Sequence, residues 1–351
     1  MILETGKLDS EVLKKIVFGK ITYQRDDVKI RPGIGEDCAV IDFGDYDCVM
    51  STDPISSAVN DIGRLAIHIT CNDIASNGVQ PLGIMLAVML PEGTTDDDVE
   101  HIMEQAAQTA AEVEVEIIGG HTEVTPAVKQ PVIVSTAIGK ILSGKSQSGS
   151  GMEPSDYIIM TKSAGLEGSA IAACDHEDAL RSAKAEDGSR LFSEEEIQTA
   201  KGFLDKVSVV KEGVAAGRVG THGMHDITEG GILGAVWEMC QISGTGCEVW
   251  EDAVPMEPET AKICQYFHVN PLRLISSGSM VIISPEDKKD ALIQAVHEAG
   301  VEATVIGVIK PAGDGIKMIT RTKTCGRDEL GRICVTIDPP YADEIYKIVK
   351  R

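Results

Sequence analysis

The side chains with most to offer chemically are acids, and they recur where the backbone is expected to turn. Asp37 sits in Gly33-Ile34-Gly35-Glu36-Asp37, Asp53 ends the strand-like run Asp47 to Asp53 next to Thr52, and Asp73 follows Asn72 at the end of a helical pattern. His121 and Glu123 come just after Gly119-Gly120. A hard cation such as Mg²⁺ takes a few carboxylates together with phosphate oxygens and water. Acids at the ends of several strands of one sheet supply such a set. Any one Asp taken alone reads better as a turn or helix cap. Only their recurrence across separate segments points to a metal.

A further element of this kind is Asp226-Ile227-Thr228-Glu229-Gly230-Gly231, directly before the amphipathic run Ile232 to Met239. Paired glycines at a helix start expose amides that can hold an anion. A Thr228 N-cap followed by flexible glycines explains the same residues equally well. His222 and His225 make an H-x-x-H beside Asp226, but no third ligand stands at zinc spacing, so they read as polar loop residues. Gly139 to Ser146 matches the phosphate-cradling pattern G-x-x-x-x-G-K-[ST] in full. That mechanism needs a helix to begin at the lysine, and Gln147-Ser-Gly-Ser-Gly151 with Pro154 does not sustain one. The match is a decoy. No G-x-S-x-G elbow or H-E-x-x-H is present.

The elements that must position these residues follow from periodicity. Strands are expected at 47–53, 83–90, 115–118 and 132–138, the third a buried strand stopped by the two glycines. Ile62, Leu65, Ala66 and Ile69 have helical spacing, and Thr95 with Asp98 forms a capping box for a helix bearing Val99, Ile102, Met103 and Ala106 on one face. Ser143 to Pro154, rich in Ser and Gly, reads as a linker. Beyond it come a strand at 157–161, helical stretches around 193–217 and 231–241, then strand 280–284, helix 286–298, strand 304–308 and a closing helix 341–349. Mixed strands and helices in both parts predict an α+β (α/β) protein of two domains, 1–148 and 149–351.

The whole chain agrees with that reading. Its 351 residues suggest two cores, and 43% apolar with 25% charged residues is an ordinary globular balance. Asp and Glu number 55 against 32 Lys and Arg, a formal charge of −23. So acidic a chain is expected to bind neither nucleic acid nor anionic membranes, because both need cationic contacts. It can still hold a phosphate through a bridging cation. No apolar run approaches a membrane span, and the N-terminus lacks the basic-then-apolar order of a signal peptide. Nine scattered cysteines without a C-x-x-C pair predict reduced thiols and a cytoplasmic protein.

Taken in order, GIGEDCAVID (33–42), STD (51–53), DIGRLAIHITCNDIASNGVQPL (61–82), IIGGHTEV (117–124), HDITEGGILGAVWE (225–238) and ISSGSMVI (275–282) resemble the aminoimidazole ribonucleotide (AIR) synthase superfamily. The resemblance runs from Gly6 to about Val308 and is greatest to its HypE-like, AIR synthase-related branch. It implies a two-domain AIR synthase-like fold whose N-terminal domain forms an intersubunit β-barrel in a homodimer. It also implies ATP and Mg²⁺ as cofactors, with Asp37, Asp53 and Asp73 as metal positions and Gly35, Thr52, Asn72, Gly119, Gly120, Asp226, Gly230 and Gly231 around the nucleotide. Asp73 and His121 are then the catalytic candidates.

The same resemblance implies an enzyme that activates an amide or carboxylate-like oxygen by phosphorylation. The alternatives are HypE-type hydrogenase maturation with partner proteins, and a non-catalytic nucleotide-binding regulator. Three residues depart from the family pattern: His121 stands for an Asp, Glu229 for an Arg, and Ser277 for a Glu. Imidazole is a poor Mg²⁺ ligand, so His121 is expected to face phosphate or substrate. HypE's terminal Pro-Arg-Ile-Cys has its counterpart in Gly331 to Cys334, but here the chain continues beyond it, and Cys334 is expected in a strand as a buried core residue.

Overall fold

A computed structural model describes residues 8, 10–56, 59–147, 149–320 and 333–349. Gly6, Cys325 and Gly331 lie outside the described residues. The first half begins with α1 (Ser10–Ile16) and contains strands β1 (Val28–Ile30), β2 (Ala39–Asp42), β3 (Tyr46–Ile55), β4 (Pro81–Leu90), β5 (Glu116–Val124) and β6 (Val132–Leu142). These form one sheet in the order β1-β2-β3-β6-β4-β5. Helices α2 (Ile62–Ser76) and α3 (Asp96–Glu112) accompany it. Strand β6 alternates buried and half-buried residues, so one sheet face packs into a core while the other stays open. Ile62, Leu65 and Ala66 are buried as their helical spacing predicts, and the Thr95–Asp98 capping box closes in both directions.

The second half holds β7 (Tyr157–Thr161), β8 (Gly223–Asp226), β9 (Gly246–Trp250), β10 (Met280–Ser284), β11 (Ala303–Lys310), β12 (Ile316–Thr320) and β13 (Ile333–Thr336). Their order is β13-β12-β9-β11-β7-β10-β8. Helices here are α4 (Leu166–Asp175), α5 (Glu177–Ser182), α6 (Glu194–Lys201), α7 (Val210–Val219), α8 (Gly231–Ser243), α9 (Pro258–Phe267), α10 (Lys289–Glu298) and α11 (Ile345–Val349). Strand β10 is buried along its whole length, as expected for a strand covered on both faces. One apolar core runs from Ile67, Cys71 and Ile74 of α2 to Val207, Val209 and Val214 beside and on α7, so it joins the two halves. A separate cluster lies between this sheet and α8. No helix among the described residues is long and apolar enough to cross a membrane.

Several expectations need correction. The segment after Val115 is neither buried nor stopped at the glycines: β5 continues through Gly119 and Gly120 to Val124, and it is largely exposed. It pairs parallel with β4, and a Cβ on Gly120 would sit 2.0 Å from the Leu86 carbonyl oxygen, so glycine is what lets the two strands approach. The helical stretch 193–217 is two helices separated by a 3-10 turn, and the closing helix begins only at Ile345. Gly139 lies inside β6 and no helix starts at Lys145, so the phosphate-loop pattern is a coincidence. The Ser/Gly-rich connection is tied down at Gln147, whose amide nitrogen donates to the Asn77 carbonyl and whose Oε1 accepts from Thr221.

Helices α2 and α7 touch through glycine. A Cβ on Gly213 would lie 2.5 Å from the Ala75 carbonyl oxygen, and one on Gly217 would lie 2.5 Å from the Gly78 Cα. Gly213→Val is therefore expected to push the halves apart and lower unfolding stability by about 1–3 kcal/mol in urea titrations. A second prediction concerns Glu167 on α4, which is 5% exposed and has a carboxyl that burial raises to about 7 from 4.5. Its folded pKa lies above the unfolded one, so the penalty is absent below pH 4.5 and grows as pH rises through 7. Glu167→Gln should accordingly gain on the wild type across that interval, by up to about 3 kcal/mol, in unfolding curves taken at several pH values. A stability gap that does not change with pH would refute it.

Candidate active site

The acidic residues converge. Helix α2 lies along the inner face of the first sheet and carries Asn72, Asp73 and Ser76 in its last two turns, so Asp73 is inside the helix rather than beyond it. The Asp73 carboxylate is buried, with Oδ2 2.5 Å from the Ser51 hydroxyl of β3. The same hydroxyl lies 3.0 Å from the Asp37 carbonyl oxygen, and the Cys38 thiol donates to the Asp73 carbonyl at 3.2 Å. Asp53, two residues after Ser51 on the same side of β3, is close enough for its charge to raise the Asp73 carboxyl. Asp226, at the end of β8, has Oδ1 3.5 Å from the Ser76 hydroxyl. The first half thus supplies three carboxylates and the second half a fourth.

Their electrostatics follow from crowding. Burial first, then the charges of Asp226, Asp53 and Asp37, push the Asp73 carboxyl well above the usual carboxylate range. The buried Cys38 thiol is driven up by burial and by the same four acids. Oxygen donors that repel one another in this way suit a hard dication, which would remove the repulsion. The residues fit Mg²⁺.

One participant is absent from the sequence-based set. His225 is not a loop residue: it lies in β8 and is 3% exposed. Its Nδ1 is 2.5 Å from the Asp226 carbonyl oxygen, and its Nε2 is 3.4 Å from Asp37 Oδ2 and 3.6 Å from Glu238 Oε2. Burial alone would lower its pKa, but Asp37, Glu238 and Asp226 outweigh that and raise it to about 9. The available signal was Gly223-Met224-His225-Asp226 itself, too short a strand for alternation to reveal. His222, just before the strand, has Nδ1 2.8 Å from Asp156 Oδ2.

The remaining candidates divide between supporting the carboxylate cluster and lying away from it. The Asn72 amide donates to the Val207 carbonyl and accepts from the Val209 amide, both at 2.8 Å, so its side chain clasps the second half. Gly35 has φ +75°, and a Cβ there would lie 2.7 Å from Ile242 Cδ1; its loop rests on α8 and so brings Asp37 to His225. Gly231 has φ +60° and presses on the Leu272 carbonyl, where a Cβ would come within 2.6 Å. The Gly230 amide, read as an anion donor, already donates to Asp343 Oδ2 at 2.6 Å, and Gly230 rather than Thr228 caps α8. The sequence carried no signal for Asp343, which is distant along the chain.

Thr52 and His121 face the other way. Asp53, Ser135, Leu86 and Gly120 form one lateral row across β3, β6, β4 and β5. Thr52 therefore points to the open face, where its hydroxyl is 3.0 Å from that of Thr136. His121 belongs to the neighbouring row with Ala87, Val134 and Pro54, also on the open face. Three strand spacings, roughly 14 Å, separate it from β3. Its side chain is 70% exposed, 3.4 Å from Glu123. Gly119, on the same edge strand, has open space where a Cβ would stand.

Known proteins agree with this architecture. The family described as AIR synthase related protein matches through its N-terminal domain at residues 35–141 and its C-terminal domain at 153–319. A putative hydrogenase expression/formation protein of Methanocaldococcus jannaschii is 30% identical over 324 residues, covering 89% of this chain and 90% of that protein. The carbamoyl dehydratase HypE of Cupriavidus necator is 31% identical over 304 residues, 82% of each. Among solved structures, a hydrogenase maturation protein HypE superposes with TM-score 0.69 at 26% identity, covering 91% of this chain and 97% of that one. A HypE–HypF complex gives 0.73 at 22% identity, covering 93% and 99%. With both domains matched and the carboxylates gathered between them, the chain belongs to the AIR synthase-related family.

Proposed function

We propose that this protein is an ATP- and Mg²⁺-dependent enzyme that activates an amide or carboxylate-like oxygen by phosphorylation. What supports the reading is that Asp37 and Asp53 of the first half and Asp226 of the second all lie close enough to the buried Asp73 carboxylate to raise it. Solved relatives include a HypE in complex with ATP and a thiamine-monophosphate kinase with AMPPCP and TMP, which supports a nucleotide here. Asp37, Asp53 and Asp73 would hold Mg²⁺, which when bound offsets charge on a transferring phosphoryl group. Asn72 keeps the second half over this set, and Ser51 orients the Asp73 carboxylate. Glu229, where the family pattern has a cation, accepts from the Tyr346 hydroxyl at 3.0 Å and cannot pair with phosphate as a cation would. The reading also takes 1–148 as the metal, nucleotide and dimerisation domain and 149–351 as the second, in a cytoplasmic protein.

A homodimer belongs to the proposal. Strand β5 is outermost in its sheet, and Leu82, Met85, Ile118 and Val124 of β4 and β5 are exposed. An exposed strand edge beside apolar residues favours closure by another strand set. A barrel formed with a twin would cover the face that bears Thr52 and His121.

Relatives named carbamoyl dehydratase favour a second reading, ATP-driven dehydration of a carbamoyl group in hydrogenase maturation, with a partner of the kind seen in the HypE–HypF complex. Against a reactive tail thiol, Cys334 lies half-buried in β13, paired to Ile319 of β12. Asp73→Ala is expected to abolish Mg²⁺-dependent ATP binding in calorimetry; unchanged affinity would reject the metal assignment. Incubation with a carbamoyl donor and ATP is expected to leave the Cys334 peptide unshifted in mass spectrometry. A carbamoyl adduct there would favour the second reading.

A further inference from the structure

The described residues hold a second donor set, which shares Asp37 and Asp226 with the cluster around Asp73 and adds an imidazole. Asp37, His225 and Asp226 each offer a ligand atom, all within 4.8 Å of one another. Glu238 of α8 adds Oε2, 3.6 Å from His225 Nε2. His225 is 97% buried by its 3% exposure, and its Nε2 has no hydrogen-bond partner although it is aimed at Asp37 Oδ2 and Glu238 Oε2. The other ring nitrogen, Nδ1, is held by the Asp226 carbonyl at 2.5 Å. Metal-binding histidines are oriented in this way, with one nitrogen donating to a carbonyl or carboxylate, and an ion at the other would take the place of the proton that Asp37 and Glu238 favour there. The spacing agrees, because donors bound at roughly 2.0–2.2 Å to one first-row ion lie roughly 3–3.5 Å apart. The observed separations of 3.4 and 3.6 Å need little adjustment.

The geometry points to a site for a divalent transition ion on Asp37, His225 Nε2 and Asp226, with Glu238 alongside the imidazole. One imidazole among carboxylates favours such an ion over Mg²⁺, which prefers oxygen alone. Asp37 comes from the first half and the other donors from the second, so the ion would also bridge the two. The inference does not depend on ATP or on phosphoryl transfer, although Asp37 and Asp226 belong to both sets.

Mn²⁺ titrated into the nucleotide-free full chain tests this, because Mn²⁺ avoids thiols and reports its ligands by pulsed EPR. One bound Mn²⁺ with ¹⁴N modulation from an imidazole is expected, and it should persist in excess Mg²⁺. His225→Gln should abolish the modulation and weaken Mn²⁺ binding on the order of tenfold or more, the scale seen when even an outer partner of a ligand is lost. Glu238→Gln should weaken binding while keeping the nitrogen signal, and circular dichroism should show both variants folded. A ¹⁴N signal that persists in His225→Gln would overturn the assignment. So would Mn²⁺ without nitrogen coupling in the wild type, which would leave His225 as a counter-ion to its carboxylates. Because nucleotide is absent throughout, failure of the ATP reading leaves either result intact.

Discussion

Like charges in a small volume repel, and the aspartates gathered beside Ser51 impose that constraint on the rest of the molecule. A carboxylate cluster holds together only where a frame too stiff to spread keeps it and where donors reach its oxygens. Donors come from both halves: the hydroxyls of Ser51 and Ser76 lie against Asp73 and Asp226, and the His225 imidazole against Asp37. The stiffness comes from Asn72, whose amide joins two backbone groups of the second half, and from Gly213 and Gly217, which let α7 pack on α2 at backbone distance. Part of the repulsion is left over, and it shows in the raised Asp73 carboxyl.

The two sheets answer different demands. The second is covered by helices on both sides, and β10 is buried throughout. The first has an inner face for α2 and the acids, and an outer face that carries Thr52, His121 and exposed apolar side chains. Residues one position apart in β3 therefore serve opposite faces, Asp53 the side of the carboxylate cluster and Thr52 the open side. Within one chain, His121 stays far from the carboxylates it was grouped with in sequence.

Substitution of a family acid need not remove acid from its neighbourhood. Ser277 stands where the resemblance implies a glutamate, yet the buried Glu167 of α4 lies near it, its carboxyl raised to about 7 chiefly by burial. Glu229, where the resemblance implies a cation, is engaged by Tyr346 of α11, while Asp343 nearby accepts from the amides of Gly230, Ile275 and Ile345. The described residues following β13, 337–349, are thus part of the second half's packing.

Local spacing was enough to reveal α2, the Thr95–Asp98 cap of α3, most of β3, β4 and β6, and the failure of the phosphate-loop pattern, because these depend on side-chain period and on helix-starting residues close in sequence. The three first-half aspartates were also legible as candidates, each beside a chain turn or element end. Tertiary structure alone decided which partners they meet. Asp226, His225 and Glu238 reach them only because β8 is the edge of the second sheet and α8 packs beneath the Gly35 loop. The course of β5 through two glycines depends on the backbone of β4, and the face taken by His121 on a register set across four strands. Pairing register and domain packing are long-range, and no short window of residues contains them.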